Sequence, residues 1–125
     1  MTEMRFPLVY DTENPPQKYL AGTILISEGQ PGDTMYVVMH GEVEILVGER
    51  IVETVGPEGL FGEMSLIDNE PRSAMARAKT DCELLPITQK QFLYMVQKNP
   101  FFSIEVMRVM SRRLRNKNQI DERRD

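Results

Sequence analysis

Between residues 17 and 87 the chain is a succession of short β-branched runs cut by glycine. The runs at 23–27, 34–39, 42–47 and 50–55 have the length and composition of strands. Between them lie Gly29, Gln30, Pro31 and Gly32, then His40 and Gly41, Gly48 and Glu49, and Gly56 to Gly59 around Pro57, all of them turn chemistry. In 42–47, Val43, Ile45 and Val47 alternate with Glu42, Glu44 and Leu46, a mostly regular in–out pattern. Two further runs, 73–79 and 82–87, read as strands. Short strands at this spacing predict a jelly roll or barrel.

At Thr88 the period changes. Thr88 and Gln91 fit a capping box, which satisfies two free N–H groups at a helix start. Phe92, Met95 and Val96 recur at helical spacing, and Asn99-Pro100 stops that helix and starts another. The second helix is expected over 100–118, with Ile104, Met107, Met110 and Leu114 as an apolar stripe. The fold class is therefore mainly β with α: a double-stranded β-helix or jelly-roll barrel (17–87), then C-terminal helices at 88–98 and 100–118. The two prolines Pro15 and Pro16 make 1–16 an extended lead-in, and 119–125 reads as a frayed tail.

At 125 residues the chain is long enough for one domain with its own core. Its hydrophobic content of 41% and charged content of 27% are ordinary for a folded soluble protein. No apolar run approaches a membrane span, and residues 1–10 lack the form of a secretory signal. The lone cysteine, Cys82, has no internal disulfide partner, so the expected location is the cytoplasm. A formal net charge of −4 argues against a general nucleic-acid binder.

Function is written most densely between Phe61 and Ala74. Gly62 lets a ligand approach its backbone. Glu63 begins a single helical turn, 63–67, whose first N–H groups have no partner within the helix and suit an anion. Arg72 adds a fork of donors that fits two phosphate oxygens. A carboxylate beside a phosphate site makes sense if it accepts a hydrogen bond from a sugar hydroxyl. These residues describe a pocket for a ribose carrying one phosphate.

The segment Phe61-Gly62-Glu63-Met64-Ser65-Leu66, followed after a short gap by Pro71-Arg72-Ser73-Ala74, resembles the phosphate-binding cassette of cyclic nucleotide-binding domains. That family includes the bacterial catabolite activator protein and the regulatory subunits of cyclic-AMP-dependent kinase. Glu28 to Asp33, Tyr36 to Val38 and Gly41 to Val43 resemble its glycine-marked turns and strands, so the likeness spans 17–118. The resemblance makes Gly62, Glu63, Met64, Ser65, Arg72, Ser73 and Ala74 the binding set. Glu63 would accept the ribose 2′-hydroxyl, Arg72 would neutralise the cyclic phosphate, and backbone N–H groups would complete the cradle. Serine at 73 leans toward cyclic AMP, with cyclic GMP as the alternative. The family's base-contacting positions fall near Lys117 and Asn118, which do not reproduce its hydroxyl side chains.

The expected function is a stand-alone cyclic nucleotide-binding regulatory module. It would signal to a further, unnamed protein through movement of its C-terminal helices, with a homodimer through the last helix as a further partner. Two other classes compete. A ligand-free interaction domain of the same fold would not need Glu63 and Arg72, and both are present. A cupin-like metal enzyme needs several histidines, and His40 is alone. His40 reads as a turn residue and Cys82 as a buried structural thiol, so no enzyme and no metal are expected. The basic run Arg112, Arg113, Arg115 and Lys117 reads as a solvated helix face over the mouth of the pocket. The chain stops before the helix-turn-helix that follows in the catabolite activator protein, so direct DNA binding is not expected.

Overall fold

In the computed structural model residues 15–123 are described, with side chains through 116. Residues 1–14 of the expected lead-in 1–16, the end of the expected tail, and the side chains of Lys117 and Asn118 lie outside these residues. The order is β1 (Gln17–Tyr19), β2 (Ile24–Ile26), β3 (Thr34–His40), β4 (Val43–Val47), β5 (Arg50–Val55), β6 (Leu60–Phe61), α1 (Glu63–Asp68), β7 (Met75–Ala78), β8 (Cys82–Thr88), α2 (Gln89–Lys98) and α3 (Pro100–Arg123). The strands form two four-stranded sheets, β1-β8-β3-β6 and β2-β7-β4-β5, with antiparallel pairing throughout.

The first sheet is buried on both faces. Strand β3 sends Met35 and Val37 toward the helices, and Tyr36 and Val38 toward the second sheet. Strand β8 does the same with Leu85 and Ile87 against Cys82 and Leu84. Strand β4 does not keep the alternation its sequence predicts: a register shift after Ile45 buries Leu46 and leaves Val47 44% exposed. Pro86 sits inside β8, opposite Tyr36 of β3. Strand β1 reaches only from Cys82 to Leu84, so β8 is an edge at Pro86 on that side.

The helices close the outer face of this sheet. Met95 of α2 and Phe102 and Val106 of α3 are buried there, with Phe92, Val96, Val109 and Met110 packed around them. Burying one side chain such as Phe102 stabilises by about 1.5–3 kcal/mol. Thr88 and Gln91 form the predicted capping box: the Gln91 N–H donates to Thr88 Oγ1 at 3.3 Å, and the Thr88 N–H to Gln91 Oε1 at 2.9 Å. Pro100 is the first residue of α3, as expected.

Several details differ from the sequence reading. Strands β1 and β6 went unpredicted; they have three and two residues, and only their neighbours fix them. Strand β7 begins at Met75, so Ser73 and Ala74 lie in the bend before it. Helix α3 runs beyond 118, to Arg123. Its buried face is Phe102, Val106 and Val109; of the stripe read from sequence, only Met110 packs on the core. Ile104, Met107 and Leu114 point outward, 39%, 53% and 57% exposed. Cys82 is buried, and burial together with Asp81 pushes its thiol up.

Candidate functional site

Six of the seven expected binding residues line one small cavity: Gly62, Met64, Ser65, Arg72, Ser73 and Ala74. It holds about 50 Å³. Pockets for whole small molecules usually hold about 300–1,000 Å³. The cradle therefore has room for an anion-sized group, and the rest of a ligand would lie outside it. Gly62 caps α1 at a φ of 82°, a conformation that glycine adopts without strain. No side chain caps this helix start.

Arg72 is the cation of the cradle, and two segments hold it. Its backbone pairs with the turn after β2: the Gly29 N–H donates to Arg72 O, and the Arg72 N–H to Gln30 O, each at 2.8 Å. Its guanidinium donates to Gly62 O at 2.9 Å and to Thr34 O at 2.7 Å. These bonds occupy two of the five N–H donors of an arginine. The plane of the group is fixed, and donors remain for an anion. The side chain passes over Gly32, where a Cβ would stand 2.1 Å from Arg72 Nε. Arg72 is 8% exposed. Burial draws its guanidinium below the ordinary value, against the opposing pull of Tyr36, Asp33 and Glu63. The glycine-marked turn at 28–33 is the seat of the arginine, a role its turn chemistry alone does not predict.

Glu63, the seventh residue, turns the other way. It is 2% exposed, and its Oε1 accepts a hydrogen bond of 2.5 Å from Arg113 Nη1 on α3. Arg113 also donates from Nε to Glu53 Oε1 at 2.8 Å and from Nη2 to Leu60 O at 2.6 Å. Burial alone would lower the Arg113 guanidinium; the two carboxylates outweigh it and hold it above its ordinary value. The basic run is thus not uniformly solvated: Arg112 is 57% exposed, whereas Arg113 is 13% exposed. The signal for this was in the sequence. Arg113 follows Phe102, Val106 and Val109 at spacings of four, three and four, on the inward face of the helix.

A two-sheet roll with an anion cradle and a helical cover defines a class of small-molecule receptor. Comparison with known proteins makes that class specific. Residues 16–99 match the family model described as the cyclic nucleotide-binding domain. The chain belongs to the cyclic nucleotide-binding domain family. It is 36% identical over 102 residues to the cyclic AMP receptor protein of Thermus thermophilus, covering 78% of this chain and 47% of that one. It superposes on the crystal structure of the Thermus thermophilus catabolite activator protein with a TM-score of 0.80 at 29% identity, over 94% of this chain and 57% of that one. A structure from a cyclic-GMP-dependent signalling pathway in bacterial phytopathogenesis gives a TM-score of 0.75 at 26% identity, over 93% and 94% of the two chains. The chain spans about half the length of the curated relatives it matches. Among the described residues no helix is long and apolar enough to cross a membrane.

Proposed function

We propose that this domain binds a cyclic nucleoside monophosphate, cyclic AMP in preference to cyclic GMP, and passes the binding event to another protein surface through α2 and α3. The observation that carries the reading is Arg72, held in plane over Gly62 by two carbonyls with donors to spare. The cyclic phosphate sits on Arg72 and the N–H groups of Gly62, Glu63, Met64, Ser73 and Ala74, with the Ser73 hydroxyl adding a bond. The ribose lies toward Glu63, whose carboxylate accepts from the 2′-hydroxyl while Arg113 holds its other side. Titration calorimetry with both nucleotides tests this. Saturable binding with the tighter affinity for cyclic AMP supports it, and no heat with either sinks it.

The role of Glu63 has its own test. Glu63→Gln removes the charge but keeps the shape. A hydrogen bond to a charged group contributes about 1.5–3 kcal/mol, so cyclic AMP is expected to lose about tenfold or more in affinity. The 2′-deoxy analogue lacks the hydroxyl and is expected to lose much less. Equal losses for the two ligands would mean that Glu63 only anchors Arg113.

The outward stripe of Ile104, Met107 and Leu114 is a seam for a second copy of the chain. Met107→Glu with Leu114→Glu is expected to convert a dimer to a monomer in analytical ultracentrifugation, with the far-ultraviolet dichroism unchanged. A wild-type protein that sediments as a monomer at all concentrations would dismiss the seam.

A further inference from the structure

We propose that Glu53 is a positioning residue: it holds Arg113 against Glu63 and so keeps α3 docked over the cradle before a ligand arrives. Its arm on affinity rests on the cyclic nucleotide reading above; its arm on the empty protein does not. Glu53 lies on β5, an edge strand of the second sheet, 60 residues from Arg113. Its carboxylate takes two donors of the guanidinium, Nε at 2.8 Å and Nη2 at 3.3 Å. This side-on grip on an arginine fixes the plane of the group. With those positions held, Nη1 is aimed at Glu63.

The grip matters because of where apolar packing stops. The last residue of α3 that packs on the core among the described side chains is Met110, and Leu114 is exposed. Past Met110 the helix is held to the roll through Arg113, together with the exposed pair of Arg112 Nη2 and Glu53 Oε2 at 3.2 Å. Both arginines reach Glu53, and Arg113 is bonded as well to Glu63 Oε1 and Leu60 O, so Glu53 is the one carboxylate that the two contacts share. A ribose hydroxyl that takes a share of Glu63 would leave Arg113 still fixed by Glu53, so the helix need not be released for the ligand to bind. The outer side of the clasp faces an open groove of about 430 Å³, bordered by Glu58, Arg108 and Arg112. Water in that groove screens the pair, which keeps its worth near the lower end for a charged contact.

The test uses the whole chain with Glu53→Gln, which keeps the shape, and Glu53→Ala. In hydrogen exchange without ligand, the amides of 108–116 are expected to exchange about tenfold faster in either variant, with β3 and β8 unchanged. In calorimetry, cyclic AMP is expected to bind about tenfold more weakly. Arg113→Ala is expected to bind at least as weakly, and adding Glu53→Ala to it to change nothing further, because Glu53 acts through Arg113. Unchanged exchange over 108–116 overturns the proposal, as do unchanged affinity in both Glu53 variants and losses that add in the double variant. If the wild-type chain binds no cyclic nucleotide, the proposed function fails, and the exchange arm still decides the role of Glu53.

Discussion

Replacing Arg72 with alanine is expected to lower the affinity for cyclic AMP by about two orders of magnitude or more, because losing one partner of a desolvated charge pair costs roughly 2–5 kcal/mol. The residue does two jobs. It supplies the positive charge of the cradle, and it satisfies the carbonyls of Gly62 and Thr34. An alanine leaves both carbonyls without that donor, so the variant is also expected to lose about 1–3 kcal/mol in urea unfolding. Arg72→Lys separates the two roles. Lysine keeps the charge but cannot span both carbonyls and still present a planar fork to two phosphate oxygens. Its affinity is expected to fall between wild type and alanine. A folded Arg72→Ala variant with near-wild-type affinity would remove the phosphate role.

The path from cradle to helices is short and continuous. Leu66 of α1 is buried in the same cluster as Met95, Phe102 and Val106, so the cassette shares its core with both cover helices. Gln89 Nε2 at the start of α2 donates to Leu66 O at 3.1 Å and ties the end of α1 to that helix. On the other side, Glu63 is joined to Arg113 of α3. A ligand can shift such a system only by contacting one arrangement better than another. The groups positioned to do so are those on α1 and on the Arg113 clasp.

Much of this was legible from local patterns. The strand runs, the Thr88 capping box, the proline start of α3 and the cassette residues each depend on neighbours within a few positions. The burial of Arg113 and the ends of β7 and α3 are local differences; the others are long-range. Strand β1 has no β-branched residue and exists because Gln17, Lys18 and Tyr19 fall beside Leu84, Glu83 and Cys82. The helix stripe was read from the larger apolar side chains, but Phe102, Val106 and Val109 face the core because the α2–α3 corner sets the rotation of the helix. Glu53 carried no sequence signal: an isolated carboxylate on a strand is ordinary until α3 is folded over it.

Gly32 offers the sharpest test of how the cradle is built, because its substitution touches no ligand atom. In Gly32→Ala the new methyl carbon would stand 2.1 Å from Arg72 Nε, 2.3 Å from Cζ and 2.5 Å from Nη2. Gly32 is not at a positive φ, so the backbone accepts alanine and the effect is steric. The guanidinium must leave its seat, and with it go the bonds to Gly62 O and Thr34 O. The expected result is a loss of cyclic AMP affinity approaching that of Arg72→Ala, about two orders of magnitude, from the same displaced charge pair. Gly56→Ala is the control: its Cβ meets nothing within 4 Å, and its affinity and stability are expected to stay near wild type. The double variant Gly32→Ala with Arg72→Ala is expected to bind no more weakly than Arg72→Ala, since with the arginine gone the methyl group has nothing to displace. Wild-type affinity in Gly32→Ala would mean that the side chain of Arg72 can reach the phosphate from another direction, and that the two carbonyls do not set its working position.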